Sequence, residues 1–226
     1  MWIDWLPLVI GFGLGFMHAL DADHVMAVSA LANQKPSRKR TLWFSLHWAL
    51  GHGGVLVGCG LMLLGIGMTI PEYLQQTAEV LVGIVLIVLG VSFLWKFQRL
   101  NIQLVKHRHQ DIEHIHWVTN QHDSHEQKMK GKYHQPVMVG MLHGLAGSAP
   151  ALALIPTVVA GQLISGVIYL LIFSVGVALS MLVFGLGFSC VQGYLYQHYQ
   201  RLFILCRYLI AAMAIGFGCF WIVQAV

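Results

Sequence analysis

Six stretches of the chain are apolar for long enough to cross a hydrocarbon core of about 30 Å, which takes roughly 20 residues as helix. They run over about 5–32, 42–68, 73–97, 136–160, 162–190 and 203–225. Pro36 breaks the first connection and Pro71-Glu72 the second, and a tight turn around Gly161 joins the fourth and fifth spans. Only the connection between the third and fourth is long and polar. The pattern predicts an all-α membrane protein with six transmembrane helices, divided into 1–98, a loop over 99–135, and 136–226.

The halves on either side of that loop overlay as an internal repeat. Phe16-Met17-His18-Ala19-Leu20-Asp21-Ala22 matches Met141-Leu142-His143-Gly144-Leu145-Ala146-Gly147, and Phe44-Ser45 with Ala49-Leu50 matches Phe173-Ser174 with Ala178-Leu179. Gly90 and Trp95 match Gly216 and Trp221. A repeat of three spans enters the membrane from opposite sides in its two copies, so the expectation is a 3+3 inverted repeat with its site near the midplane.

Composition agrees, since 57% of the 226 residues are hydrophobic and 10% charged, against about 25% charged in soluble domains. The amino terminus lacks a basic region and cleavage site, so the first stretch is expected to be a retained span. Cys59, Cys190, Cys206 and Cys219 lie in apolar segments without CxxC spacing and read as buried small hydrophobes. With six spans, all 13 Lys and Arg residues fall on one face. That face is expected to be cytoplasmic, with both termini outside.

The candidate chemistry lies in the first span, at His18-Ala19-Leu20-Asp21-Ala22-Asp23-His24. Two carboxylates at membrane depth are costly unless neutralised, and ionisable residues there are functional by default. The nearest basic residue, Lys35, is beyond the span, so a bound cation is the economical partner. On a regular helix His18, Asp21 and His24 stand about 60° apart on one broad face, with Asp23 directed to a supporting role or a neighbouring helix. Imidazole and carboxylate without thiolate suit Ni²⁺, Co²⁺ or Zn²⁺.

Further ligands come from other spans. His52, flanked by Gly51 and Gly53, lies between the depths of His18 and His24 and is the preferred addition. His47 is nearer the mouth, and His143 aligns with His18 and lines the path. In the second copy Asp21, Asp23 and His24 are replaced by Ala146, Ser148 and Ala149, so the site is asymmetric. The loop holds His107, His109, His114, His116, His122, His125 and His134, and reads as a mobile, low-specificity metal-binding tract.

His18-x-x-x-x-Asp23-His24 resembles the signature of the nickel/cobalt transporter family. Leu50-Gly51-His52 and His143-Gly144-Leu145-Ala146-Gly147-Ser148-Ala149 are similar to its short branch, the nickel permeases associated with urease maturation. The resemblance implies passage of Ni²⁺ or Co²⁺ as substrate across the bacterial cytoplasmic membrane, with His18, Asp21, Asp23, His24 and His52 needed for transport. It implies no cofactor, no catalysis and no nucleic acid; the partners are the metal, the bilayer and cytoplasmic metallochaperones. Met17 departs from the family, which often has a basic residue there, and the histidine-rich loop looks more like the efflux branch. Efflux with the loop as collector is therefore the alternative direction. A haem-binding membrane oxidoreductase, with His18 and His52 as axial ligands, is the alternative class.

Overall fold

A computed structural model describes residues 5–32, 38–66, 71–99, 103–109, 112–118, 134–146 and 163–225. Seven helices are present among them: α1 (Trp5–His18), α2 (Ala22–Ala32), α3 (Arg38–Ile66), α4 (Glu72–Arg99), α5 (His134–Ala146), α6 (Leu163–His198) and α7 (Gln200–Ala225). Two strands, β1 (Gln103–His109) and β2 (Ile112–Val118), form an antiparallel hairpin between α4 and α5.

Helices α3, α4, α6 and α7 are each long and apolar enough to cross a membrane. The first predicted span is not the regular helix expected from its apolar length. It is a pair, α1 and α2, bent by 57° at a short break. The break falls at Ala19-Leu20-Asp21, where the amides of Leu20 and Asp21 turn back to Met17 and His18 and the first bond of α2 runs from Val25 N to Asp21 O. Aspartate competes with helical backbone and favours the N-cap, so Asp21 ends one helix and starts the next. The fourth predicted span begins as α5, while 147–162, with Ser148, Ala149, Pro150 and Pro156, lie outside the described residues.

The loop read as mobile carries the hairpin, whose register pairs His107 with His114 and Val105 with His116. Val105, Ile112, Ile115 and Val118 supply the β-branched residues that favour a strand. His122 and His125 lie outside the described residues.

The distribution of side chains is the reverse of a soluble protein's. Leu50, Val88, Val175 and Val223 are exposed on outer faces, while Asp23, His24, Ser45, His52, His143 and Ser180 are buried. Apolar outside and polar inside is what lipid as solvent requires, and the chain is a multi-pass helical membrane protein. The core between the helices is built on Trp48, Leu56, Leu86, Phe173, Val177 and Met181.

Glycines set how closely the helices approach. A Cβ on Gly51 would strike the carbonyl oxygen of Val137, and one on Gly140 that of Trp48, so α3 and α5 meet backbone to backbone. The α1–α6 contact repeats the arrangement, with Gly176 against Phe12 O and Gly15 against Phe173 O. Between α4 and α7, a Cβ on Gly83 would lie 2.6 Å from Gly218 O, and one on Gly218 2.6 Å from Gly83 O. These reciprocal contacts relate Trp48 to Phe173 and Gly51 to Gly176, one helical turn from the overlay of Phe44 on Phe173. On the last helix Gly83 meets Gly218, and Gly90 meets Ile215 and the carbonyl oxygen of Ala211. Successive turns of a lipid-facing helix are too alike for sequence to fix their register.

Candidate metal site

The break in the first span turns two helix ends towards one point. His18 is the last residue of α1, and Asp23 and His24 lie in the first turn of α2. The carbonyl end of α1 favours a cation, and the acidic first turn of α2 offsets the opposite field of its amino end. His52 enters from the middle of α3 and His143 from the last turn of α5.

His18, His24 and His52 converge, each offering a ring nitrogen, with all three nitrogens within 4.8 Å of one another. Ring centroids are 4.7 Å apart for His18 and His24, 5.0 Å for His24 and His52, and 5.5 Å for His18 and His52. His143 stands beside His24 at 5.5 Å, outside that convergent trio. His24, His52 and His143 are buried to within 1% of full exclusion.

Hydrogen bonds fix which nitrogen is free. His18 Nδ1 lies 3.0 Å from Asp21 Oδ2, His24 Nδ1 2.9 Å from Asp23 Oδ1, and His143 Nδ1 2.8 Å from Val139 O. A carboxylate or a carbonyl only accepts, so each Nδ1 donates its hydrogen and leaves Nε2 with a lone pair. Those three Nε2 atoms, and both ring nitrogens of His52, are buried with no partner within the protein. Each buried polar atom left unsatisfied costs about 1–3 kcal/mol. A divalent ion with Nδ1 of its ligands held by carboxylates is a recurrent solution to that problem.

Asp21 and Asp23 therefore support the imidazoles. Asp21 was expected to share the ligand face, but the helix break turns its carboxylate back onto His18, and its side chain remains 58% exposed. His47 is not drawn into the cluster. Five residues before His52 on a helix, it faces another direction; its Nδ1 donates to Trp43 O at 2.9 Å and its ring stacks on Trp43 at 3.7 Å.

Sequence reasoning missed Trp48. Its fully buried indole stacks on His52 at 5.1 Å and meets His24 at 5.0 Å and His143 at 5.7 Å, walling three of the four imidazoles. The available signal was its position four residues before His52, on the same helical face.

An all-nitrogen trio suits Ni²⁺, Co²⁺ or Zn²⁺. Ring-against-ring packing of His18, His24, His52 and Trp48 suits a single ion far better than a macrocycle between His18 and His52. If Asp23 tunes His24, Asp23→Asn should weaken Ni²⁺ binding by about 10–100-fold. Equilibrium dialysis of the detergent-solubilised protein measures this, and His47→Ala should leave the affinity where it was. Equal losses from both substitutions would contradict the assignment.

Fold and site together define a multi-pass helical membrane protein with a buried histidine cluster. Residues 9–216 match the family described as cytochrome C biogenesis protein transmembrane region. The chain is also 31% identical over 179 residues to the Urease accessory protein UreH of Bacillus sp. (strain TB-90), covering 78% of this chain and 73% of that protein. No solved structure matches. The chain belongs to the family of this transmembrane region by the match over residues 9–216, and by its kinship to UreH to the UreH-like group that its motifs resemble; the two are different families.

Proposed function

We propose that this protein is a permease that carries Ni²⁺, with Co²⁺ as a second substrate, across the bacterial cytoplasmic membrane, inward, through the site built on His18, His24 and His52. The observation that carries the reading is the convergence of three imidazoles inside apolar helices, with unpartnered ring nitrogens aimed at one another. The kinship to a urease accessory protein supports nickel as the ion.

The reciprocal glycine contacts support a 3+3 inverted repeat of six spans, in which α5 begins the fourth. Both termini then lie outside, and the basic residues and the histidine-rich loop face the cytoplasm. The membrane potential favours entry of a cation by about 2.3 kcal/mol per charge per 100 mV, which makes inward movement the favoured direction without a nucleotide.

Uptake into sealed proteoliposomes tests this reading. With an imposed inside-negative potential or a proton gradient, the unaltered protein should accumulate Ni²⁺ in preference to Zn²⁺, and Asp23→Asn should do so more slowly. Failure to move any of Ni²⁺, Co²⁺ or Zn²⁺ under either gradient would defeat the proposal. Movement only out of the compartment that the loop faces would establish efflux instead.

A further inference from the structure

Four imidazoles gather in this molecule, yet they do not form one ring of ligands. His18, His24 and His52 share a point, and His143 does not join them. His24 touches all three others, at 4.7 Å from His18, 5.0 Å from His52 and 5.5 Å from His143. His143 Nε2 is nevertheless buried, without a partner, and backed by the bond from Nδ1 to Val139 O, in the same way that His18 is backed by Asp21.

The two outer histidines are also equivalent in construction. His18 ends α1, whose Gly15 lies on Phe173 O of α6; His143 lies in the last turn of α5, whose Gly140 lies on Trp48 O of α3. Each is thus held three residues beyond a glycine pressed on a neighbouring backbone. His24 has no counterpart in the second half, where Ala149 stands in the sequence overlay. The result is one central ligand with two related ligands on either side of it.

We propose that His24 is shared by two overlapping metal stations, and that the ion passes from His18, His24 and His52 to His143 by ligand exchange at His24. The inference rests on the permease reading above. In the exchange a coordination bond forms to His143 Nε2 and the bonds to His18 Nε2 and to His52 break, which leaves the ion on His24 and His143. Neither step moves a proton, because each hydrogen stays on its Nδ1, donated to Asp21, Asp23 or Val139 O, and the ion keeps its charge throughout. The trio has the greater number of ligands and sets the affinity. The station at His143 has fewer and sets the rate of release, since an ion held by fewer imidazoles leaves more readily. Trp48, against His24, His52 and His143, forms the common wall of this route.

The test separates equilibrium from rate. Ni²⁺ binding by the full chain in detergent is compared with KM and Vmax of uptake in proteoliposomes, for the unaltered protein, His18→Ala, His143→Ala and His143→Gln. Both changes at His143 should leave the dissociation constant and KM nearly as they were while Vmax falls by roughly 10–100-fold. His18→Ala should lose binding. Retained binding also shows that the His143 variants are folded. Loss of affinity at His143 equal to that at His18 would mean a single four-ligand site and would overturn the hand-off, as would an unchanged Vmax. If the unaltered protein binds Ni²⁺ but moves none, the permease reading itself has failed and the hand-off falls with it, a result distinct from a defect confined to the variants.

Discussion

Replacing His24 by Asn is expected to abolish measurable Ni²⁺ binding at micromolar metal. Structural sites with four protein ligands bind Zn²⁺ with apparent free energies of about 10–16 kcal/mol, so one ligand is worth on the order of 3 kcal/mol, or roughly a hundredfold or more in affinity. His24 is the residue whose loss should cost most, because its ring contacts His18, His52 and His143 together. Asparagine is preferred to alanine in this test because its amide still donates to Asp23, which would otherwise be a buried carboxylate without a partner. Thermal unfolding without metal should therefore change little, whereas the stabilisation produced by added Ni²⁺ should vanish. A His24→Asn protein that is still stabilised by Ni²⁺ to the same degree would place the ion elsewhere.

The second large effect is expected from a single methyl group. In Gly140→Ala the new Cβ would strike the carbonyl oxygen of Trp48 and lie 2.9 Å from its carbonyl carbon and 3.1 Å from His52 N. All three are backbone atoms, so no side chain can rotate away, and α5 must withdraw from α3. Overpacking of this kind costs about 1–3 kcal/mol where side chains yield, and here the upper end or beyond applies. Withdrawal also pulls His143 from Trp48 and disturbs His52, so metal-dependent transport should be lost along with thermal stability. Gly58→Ala is the contrasting substitution. Gly58 has nothing within 4 Å of its Cβ position, and alanine there should be neutral or stabilising by up to about 1 kcal/mol, as helix propensity predicts. Equal melting temperatures for the two variants would show that α3 and α5 are not in backbone contact.

Much of the candidate site was legible in the sequence. A His/Asp/Asp/His cluster in an apolar stretch with no basic residue nearby makes a bound cation the economical partner, and the glycines beside His52 pointed to close approach. The structure brings His18, His24 and His52 within reach of one another and sets His143 alongside. What the motif could not convey was the division of labour. A regular helix puts Asp21 on the face of His18 and His24; the break at Asp21 instead makes both aspartates hydrogen-bond acceptors for ring nitrogens. His47 and His52 looked comparable as letters, yet 140° of helical rotation separates them, and Trp43 holds the former.

By itself, the sequence determined the class of protein, because hydrophobic length is a local property and lipid accepts backbone only when it is helical or closed on itself. It also pointed to a cation as the economical partner at His18 to His24, because charge and its absence can be counted along the chain. The tertiary structure alone decided which nitrogens are free, which helices touch, and in what register. Those depend on where glycines let one backbone rest on another, as at Gly140 on Trp48 and Gly15 on Phe173. The role of Trp48 belongs to the same group, since an indole becomes the wall of a site only once α5 has been packed against it. Such contacts join residues about ninety positions apart or more, and no periodicity within a single helix encodes them.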